Sequence, residues 1–138
     1  MEITQHYLKV EENVEQRIRK TISEEGTKYF LTTKTKIDET SREENEVIID
    51  ELVYEFLKKL SLGKIAKERF IIPLTEQITA EVDFFYNKEL VILEVEFESK
   101  EQFNSFDISL ISDFDNDNIK DVTTDLKYKN AYIALNKL

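Results

Sequence analysis

Arg17 and Arg19 stand two residues apart, as do Lys67 and Arg69, and Glu81 and Asp83. Arg42, Glu44 and Glu46 follow the same step, and so do Glu94, Glu96 and Glu98, while Lys34 falls between Thr32 and Lys36. A step of two is the repeat of a β-strand, so each set occupies one face of its own strand. Basic and acidic sets fall on different strands, apart from the mixed Arg42 segment. Any one such strand is most often the watered face of an antiparallel sheet. Gathered on one face that curls closed, the same sets would line a lumen in which cations meet carboxylates. That lumen suits a polyanion chelated to a divalent metal. Arg and Lys take phosphate oxygens, Arg often through two bonds. Carboxylates hold Mg²⁺ or Mn²⁺, hard cations that prefer oxygen. The spacing leaves both arrangements open, solvated face and lumen.

The elements that must carry these residues follow from periodicity. Alternation predicts strands over 3–10, 13–22, 27–36 and 42–49, with Glu25-Gly26 as a hairpin turn between the second and third. From Asp50 to Leu60 the period becomes helical through Leu52, Val53, Phe56, Leu57 and Leu60, with Asp50 as cap and Gly63 past the end. Strands return over 64–73, 78–86 and 89–98, the last two joined by Asn87-Lys88. Ser99 caps a short helix to Phe106. Residues 112–118 read as a loop, and 124–138 as a closing helix that partly buries Leu126, Tyr128, Ala131, Ile133, Ala134 and Leu135. Strands followed by helices in this mixture predict an antiparallel α+β domain over residues 1–138.

Composition narrows the chemistry. Leu, Ile, Val and Phe make up 45 of 138 residues, enough for a packed core. The formal charge of −10 argues against nucleic acid as a partner, because sequence-blind binding rests on neutralising phosphates. No apolar run is long enough to cross a membrane as a helix, and the first residues lack the pattern of a secretory signal. With no cysteine there is no disulfide, thiol chemistry or Cys-ligated zinc. These features predict a cytoplasmic protein. Two glycines exclude a Rossmann fingerprint or a P-loop, so phosphate chemistry must come from side chains.

Taken in order, the segments resemble the CYTH superfamily, the triphosphate tunnel metalloenzymes, which includes thiamine triphosphatases, inorganic tripolyphosphatases and class IV adenylyl cyclases. Gln5-His6-Tyr7-Leu8 is similar to the family's Gln-x-Tyr-Leu, and Arg17-Ile18-Arg19 to its Arg-x-Arg. Leu31-Thr32-Thr33-Lys34 is similar to Leu-Thr-x-Lys, the segment from Arg42 to Glu46 to Arg-x-Glu-x-Glu, and Lys67-Glu68-Arg69-Phe70 to Lys-x-Arg-aromatic. Asp83-Phe84-Phe85 and Glu94-Val95-Glu96 match its Asp-x-Phe and Glu-x-Glu, followed by Asp121-Val122-Thr123 and Tyr128-Lys129-Asn130. The resemblance implies a tunnel of antiparallel strands with helices packed outside and a triphosphate or polyphosphate inside. It implies that Arg17, Arg19, Lys34, Arg42, Lys67 and Arg69 hold phosphate. It implies that Glu44, Glu94 and Glu96, with Glu46 and Asp83 close behind, hold Mg²⁺ or Mn²⁺ for hydrolysis.

The family's Glu-x-Glu-x-Lys strand, upstream of Gln-x-Tyr-Leu, has no counterpart. The expectation is therefore a barrel one strand short of the family's eight, N-terminally incomplete, with an open edge that invites self-association. A metal-dependent triphosphatase is the leading function. A binding module with impaired turnover, an adenylyl cyclase and a ligand-free acidic interaction domain are the alternatives. Away from the site set, His6 is expected to pack or lie on the surface opposite the lumen, and Tyr7 to point inward. Lys58, Lys59, Lys127 and Lys129 are expected on solvated helix faces. Asp113, Asp115 and Asp117 alternate without the glycine or closing glutamate of a calcium loop, and read as solvated loop.

Overall fold

The computed structural model describes residues 1–107, 109–112 and 120–136. Seven strands form one antiparallel sheet: β1 (Glu2–Val10), β2 (Val14–Ser23), β3 (Gly26–Lys36), β4 (Arg42–Ile49), β5 (Gly63–Pro73), β6 (Thr79–Phe85) and β7 (Val91–Val95). The order across the sheet is β4-β3-β2-β1-β5-β6-β7. With helices α1 (Glu51–Lys58), α2 (Lys100–Asn104), α3 (Ser109–Ser112) and α4 (Asn130–Asn136) the protein is an α+β fold. A one-turn 3₁₀ segment, Leu126–Tyr128, leads into α4. The aspartates at 113, 115 and 117 lie outside the described residues. No helix among the described residues is long and apolar enough to cross a membrane.

Register decides which side chains share a face. Gln5 lies opposite Arg19 and Tyr7 opposite Arg17 on β2, and Arg17 lies opposite Thr32 and Glu15 opposite Lys34 on β3. Lys34 lies opposite Glu44, and Lys36 opposite Arg42, on β4. On the other side of β1, Ile3 pairs with Lys67; Arg69 then faces Asp83, and Glu81 faces Glu94. The charged sets named from the sequence on these strands therefore occupy one face. That face is strongly curled. Laid flat, seven strands would part the edge strands by about 29 Å, yet Arg42 of β4 and Glu94 of β7 line one cavity.

The curl stops short of closure. Among the described residues the outer strands β4 and β7 each pair on one side only, so the sheet is an open trough and not the expected barrel. The last strand is also shorter than alternation predicts. Ala80 at the start of β6 pairs with Val95, so residues beyond Val95 have almost no ladder left to join. Instead, Phe97 turns to Phe103 and Phe106, with ring centroids 5.3 and 5.2 Å away, and the backbone N–H of Glu98 donates to the Gln102 side chain.

Helices occupy both faces. The N–H of Val53 donates to Asp50, which caps α1 with Glu51 in its first turn and Lys58 in its last, as the helix dipole favours. Tyr54 of α1 is buried on the outer face against His6 and Tyr29. In contrast to the expectation of helices only outside, α4 lies in the trough. Its Ile133 and Ala134 pack with Tyr7, Ile65, Phe85 and Ile92, all on the inner face. Gly63 permits this approach: a Cβ there would lie 2.4 Å from the Ala134 carbonyl oxygen. Gly26 and Asn87 supply the left-handed backbone of two turns, at φ 106° and 61°.

Candidate functional site

The trough beside α4 holds a cavity of about 390 Å³. Arg17 and Arg19 reach it from β2, Lys34 and Lys36 from β3, Arg42 from β4, Arg69 from β5 and Lys129 from the approach to α4. Five carboxylates share the lining: Glu11, Glu12 and Glu15 on one wall, Glu81 and Glu94 on the other. Positive charge is in excess here although the chain carries −10 overall.

The two β2 arginines are held differently. Gln5, fully buried, accepts from Arg19 Nε at 2.8 Å and donates to the Tyr7 hydroxyl at 3.2 Å, which fixes the Arg19 side chain from below. Burial, then Arg17 and Arg69, lower the Arg19 guanidinium below its ordinary value. Burial pushes the Tyr7 hydroxyl up to about 12 against the pull of Arg17, so it stays a neutral phenol. Arg17 is itself buried. Its closest carboxylate contact is Glu15 at 3.6 Å, and its Nε is a buried donor with no acceptor among the described residues. An unsatisfied buried donor costs roughly 1–3 kcal/mol, so its presence here points to an acceptor that comes from outside.

On the β5–β6 side the charges satisfy one another. Arg69 grips Asp83 with two bonds, Nε to Oδ1 at 2.7 Å and Nη2 to Oδ2 at 2.9 Å, and its Nη1 pairs with Glu81. Lys67, with no exposed surface, places Nζ 2.6 Å from Asp83 Oδ2 and 5.4 Å from the Phe85 ring centroid. Burial alone would raise the Asp83 carboxyl; the hydrogen bonds from Arg69 and Lys67 outweigh it and hold the group below its ordinary value. The same burial lowers the Lys67 ammonium although Asp83 pulls it up.

This geometry redraws the residue set drawn from the sequence. Arg17, Arg19, Lys34, Arg42 and Arg69 come together at the cavity. Lys67 does not reach it, because Asp83 claims its ammonium in the buried layer beneath. Asp83 is correspondingly not free to ligate a metal: two cations cover both its oxygens. Glu44 and Glu46 stand on β4 outside the cavity lining, Glu46 accepting from Thr32 Oγ1 at 3.0 Å. Glu94 is at the cavity, but Glu96 falls past the end of β7 and leaves the sheet face. The proposed metal ligands are thus divided between opposite margins of the trough. Among the described residues no three carboxylates or histidines gather closely enough to hold a metal ion.

Sequence reasoning overlooked Gln5 as the support of Arg19, and Glu15 and Lys36 as wall residues. The first was readable, since Gln5 shares a face with Tyr7. Glu11 and Glu12 lie in the β1–β2 connection, where no period assigns a face.

No family model matches the chain, and no curated protein does. Solved structures resemble it over most of its length. The hypothetical protein NE1496 is 29% identical, with a TM-score of 0.62 over 97% of this chain and 84% of its own. A conserved hypothetical protein from Pyrococcus furiosus is 25% identical, with a TM-score of 0.55 over 82% of this chain and 70% of its own. The PH1012 protein from Pyrococcus horikoshii OT3, 22% identical with a TM-score of 0.53 over 82% of this chain and 70% of its own, shares the fold.

Proposed function

We propose that this chain is a CYTH-type domain that binds the triphosphate group of a small molecule, or inorganic tripolyphosphate, in its trough. One observation carries the reading. Six cations from four strands converge on one cavity, and the buried Arg17 Nε among them has no acceptor among the described residues. A linear triphosphate brings several negative charges and many acceptor oxygens, which matches a line of guanidinium and ammonium donors better than a single carboxylate would. The order of the sequence motifs supports the same ligand.

Hydrolysis is the second reading. Glu81 lies directly opposite Glu94 on neighbouring strands, with both side chains at the cavity. Like charges so placed repel unless a cation lies between or beside them. Arg69 already answers Glu81, however, and the remaining predicted ligands lie elsewhere. The donor set does not fit a complete Mg²⁺ or Mn²⁺ centre, so no hydrolytic step is derived from it.

The test is thermal denaturation with tripolyphosphate, with and without Mg²⁺. A ligand of the native state at a hundred times its Kd stabilises by about 2.7 kcal/mol, a rise of several degrees for a chain of this size. Arg17→Ala should remove the rise. No response at millimolar tripolyphosphate refutes the reading. Release of orthophosphate at an ordinary enzyme rate from the same mixture would establish the hydrolytic one.

A further inference from the structure

A second cavity, of about 340 Å³, lies on the opposite face of the sheet, beneath α1. His6 forms part of its floor, Lys20 and Lys64 flank it from β2 and β5, and Tyr54, Glu55 and Lys58 close it from the helix. The nearest charged groups are three ammoniums and one carboxylate. Glu55 is already paired with Lys58 at 2.8 Å. Lys20 lies over the Tyr29 ring at 5.9 Å, and neither it nor Lys64 has a carboxylate within ion-pair distance among the described residues. In a chain of charge −10 this is a second cationic island, and the trough does not use it.

The histidine is set for the same purpose. Its Nδ1 lies 2.8 Å from Ser61 Oγ, and that hydroxyl donates to the Gly63 carbonyl at 3.2 Å. A hydroxyl that donates to Gly63 can accept from Nδ1–H, the tautomer that leaves the lone pair on Nε2. Burial, then Lys64 and Lys58, hold the ring below its ordinary value, with Glu55 opposing them. An arriving dianion would cancel the two lysines and let the ring take a proton from water, turning His6 into a further donor.

We propose that this outer cavity binds a phosphate dianion, orthophosphate or a phosphomonoester, held by Lys20, Lys64 and the protonated His6 ring, while Lys58 offsets Glu55. Binding takes up one proton from solvent and makes and breaks no other bond. The site is independent of the triphosphate reading.

His6 is the only histidine, so its Hε1 proton is a single NMR signal that reports the site directly. Titrating the full chain with pH, in inorganic phosphate and in sodium chloride of equal ionic strength, should show a His6 pKa higher by about one unit in saturating phosphate. Lys64→Ala, an exposed position, should remove the phosphate dependence while raising the chloride baseline. Arg17→Ala, in the trough, should leave that dependence intact. The same pKa in both salts, or a phosphate effect that survives Lys64→Ala and vanishes in Arg17→Ala, overturns the proposal. In either outcome the tripolyphosphate response of the trough is measured separately.

Discussion

The Asp83 carboxylate separates two cations, the fully buried Lys67 and the cavity-lining Arg69, that would otherwise repel each other. Removing its charge leaves Lys67 buried without a counter-ion, and breaking such a pair costs about 3–5 kcal/mol. Asp83→Asn should lose that much in urea unfolding. The pH sign follows from the depressed folded-state value. The contribution is complete above the ordinary value of 3.8 and disappears as pH falls through the lower folded one. The wild type should accordingly lose stability below about pH 4, and Asp83→Asn should lose less over the same range. Arg17 is the opposite case. Its idle Nε is a burden without ligand, so Arg17→Met should leave stability unchanged or raise it by about 1 kcal/mol while losing the tripolyphosphate response. Thermal melts with and without ligand read both effects. From the sequence these two residues look alike, each one of a charged pair spaced by two. The alternation legible there assigns a face but not a partner: Lys67 and Arg69 share Asp83, whereas Arg17, as deep as Arg69, keeps a donor unmet among the described residues.

Among the elements, α4 is where sequence periodicity and the fold diverge most. Ala131, Ile133, Ala134 and Leu135 announce a helix with an apolar side, yet nothing in that pattern says which face of the sheet receives it. The answer lies at Gly63, opposite Tyr7 at the start of β5, which reads from the sequence as a stop after α1. Gly63→Ala would press a methyl group into the Ala134 backbone, a rigid partner that cannot swing aside. The expected cost is about 1–3 kcal/mol in thermal denaturation, with stronger exposure of Tyr7 to solvent. The strands themselves were legible because a curled two-faced sheet preserves the two-residue period. The end of β7 was not, since Glu96 and Glu98 continue the alternation after the ladder has run out.

For the whole molecule, the unpaired margins set solution behaviour. The outer strand β4 offers free backbone groups along Arg42–Ile49, with Ile48 80% and Val47 47% exposed. Exposed edges of this kind pair with other chains unless charge prevents it. Arg42, Glu43, Glu44 and Glu46 supply that protection, and the net charge of −10 adds long-range repulsion that salt screens. Sedimentation should find monomers at low ionic strength and concentration-dependent association at high salt. Association that weakens with salt would mean that the contacts are ionic and do not involve the strand edge.

The order of the sheet also has a kinetic side. From β1 to β4 the chain runs up and down between immediate neighbours, and from β5 to β7 it does so again; the seam between the halves brings Glu2 opposite Glu68. Each half closes only short loops, whereas the seam must close a long one, so it is the step that contact order marks as slow. Arg17, Arg19, Lys34 and Arg42 belong to the first half and Arg69 to the second, so an anion gripping all of them exists only once the seam has formed. Such a ligand acts as a brake on the way out. At a hundred times its Kd, tripolyphosphate should slow unfolding about 100-fold and leave the refolding rate untouched.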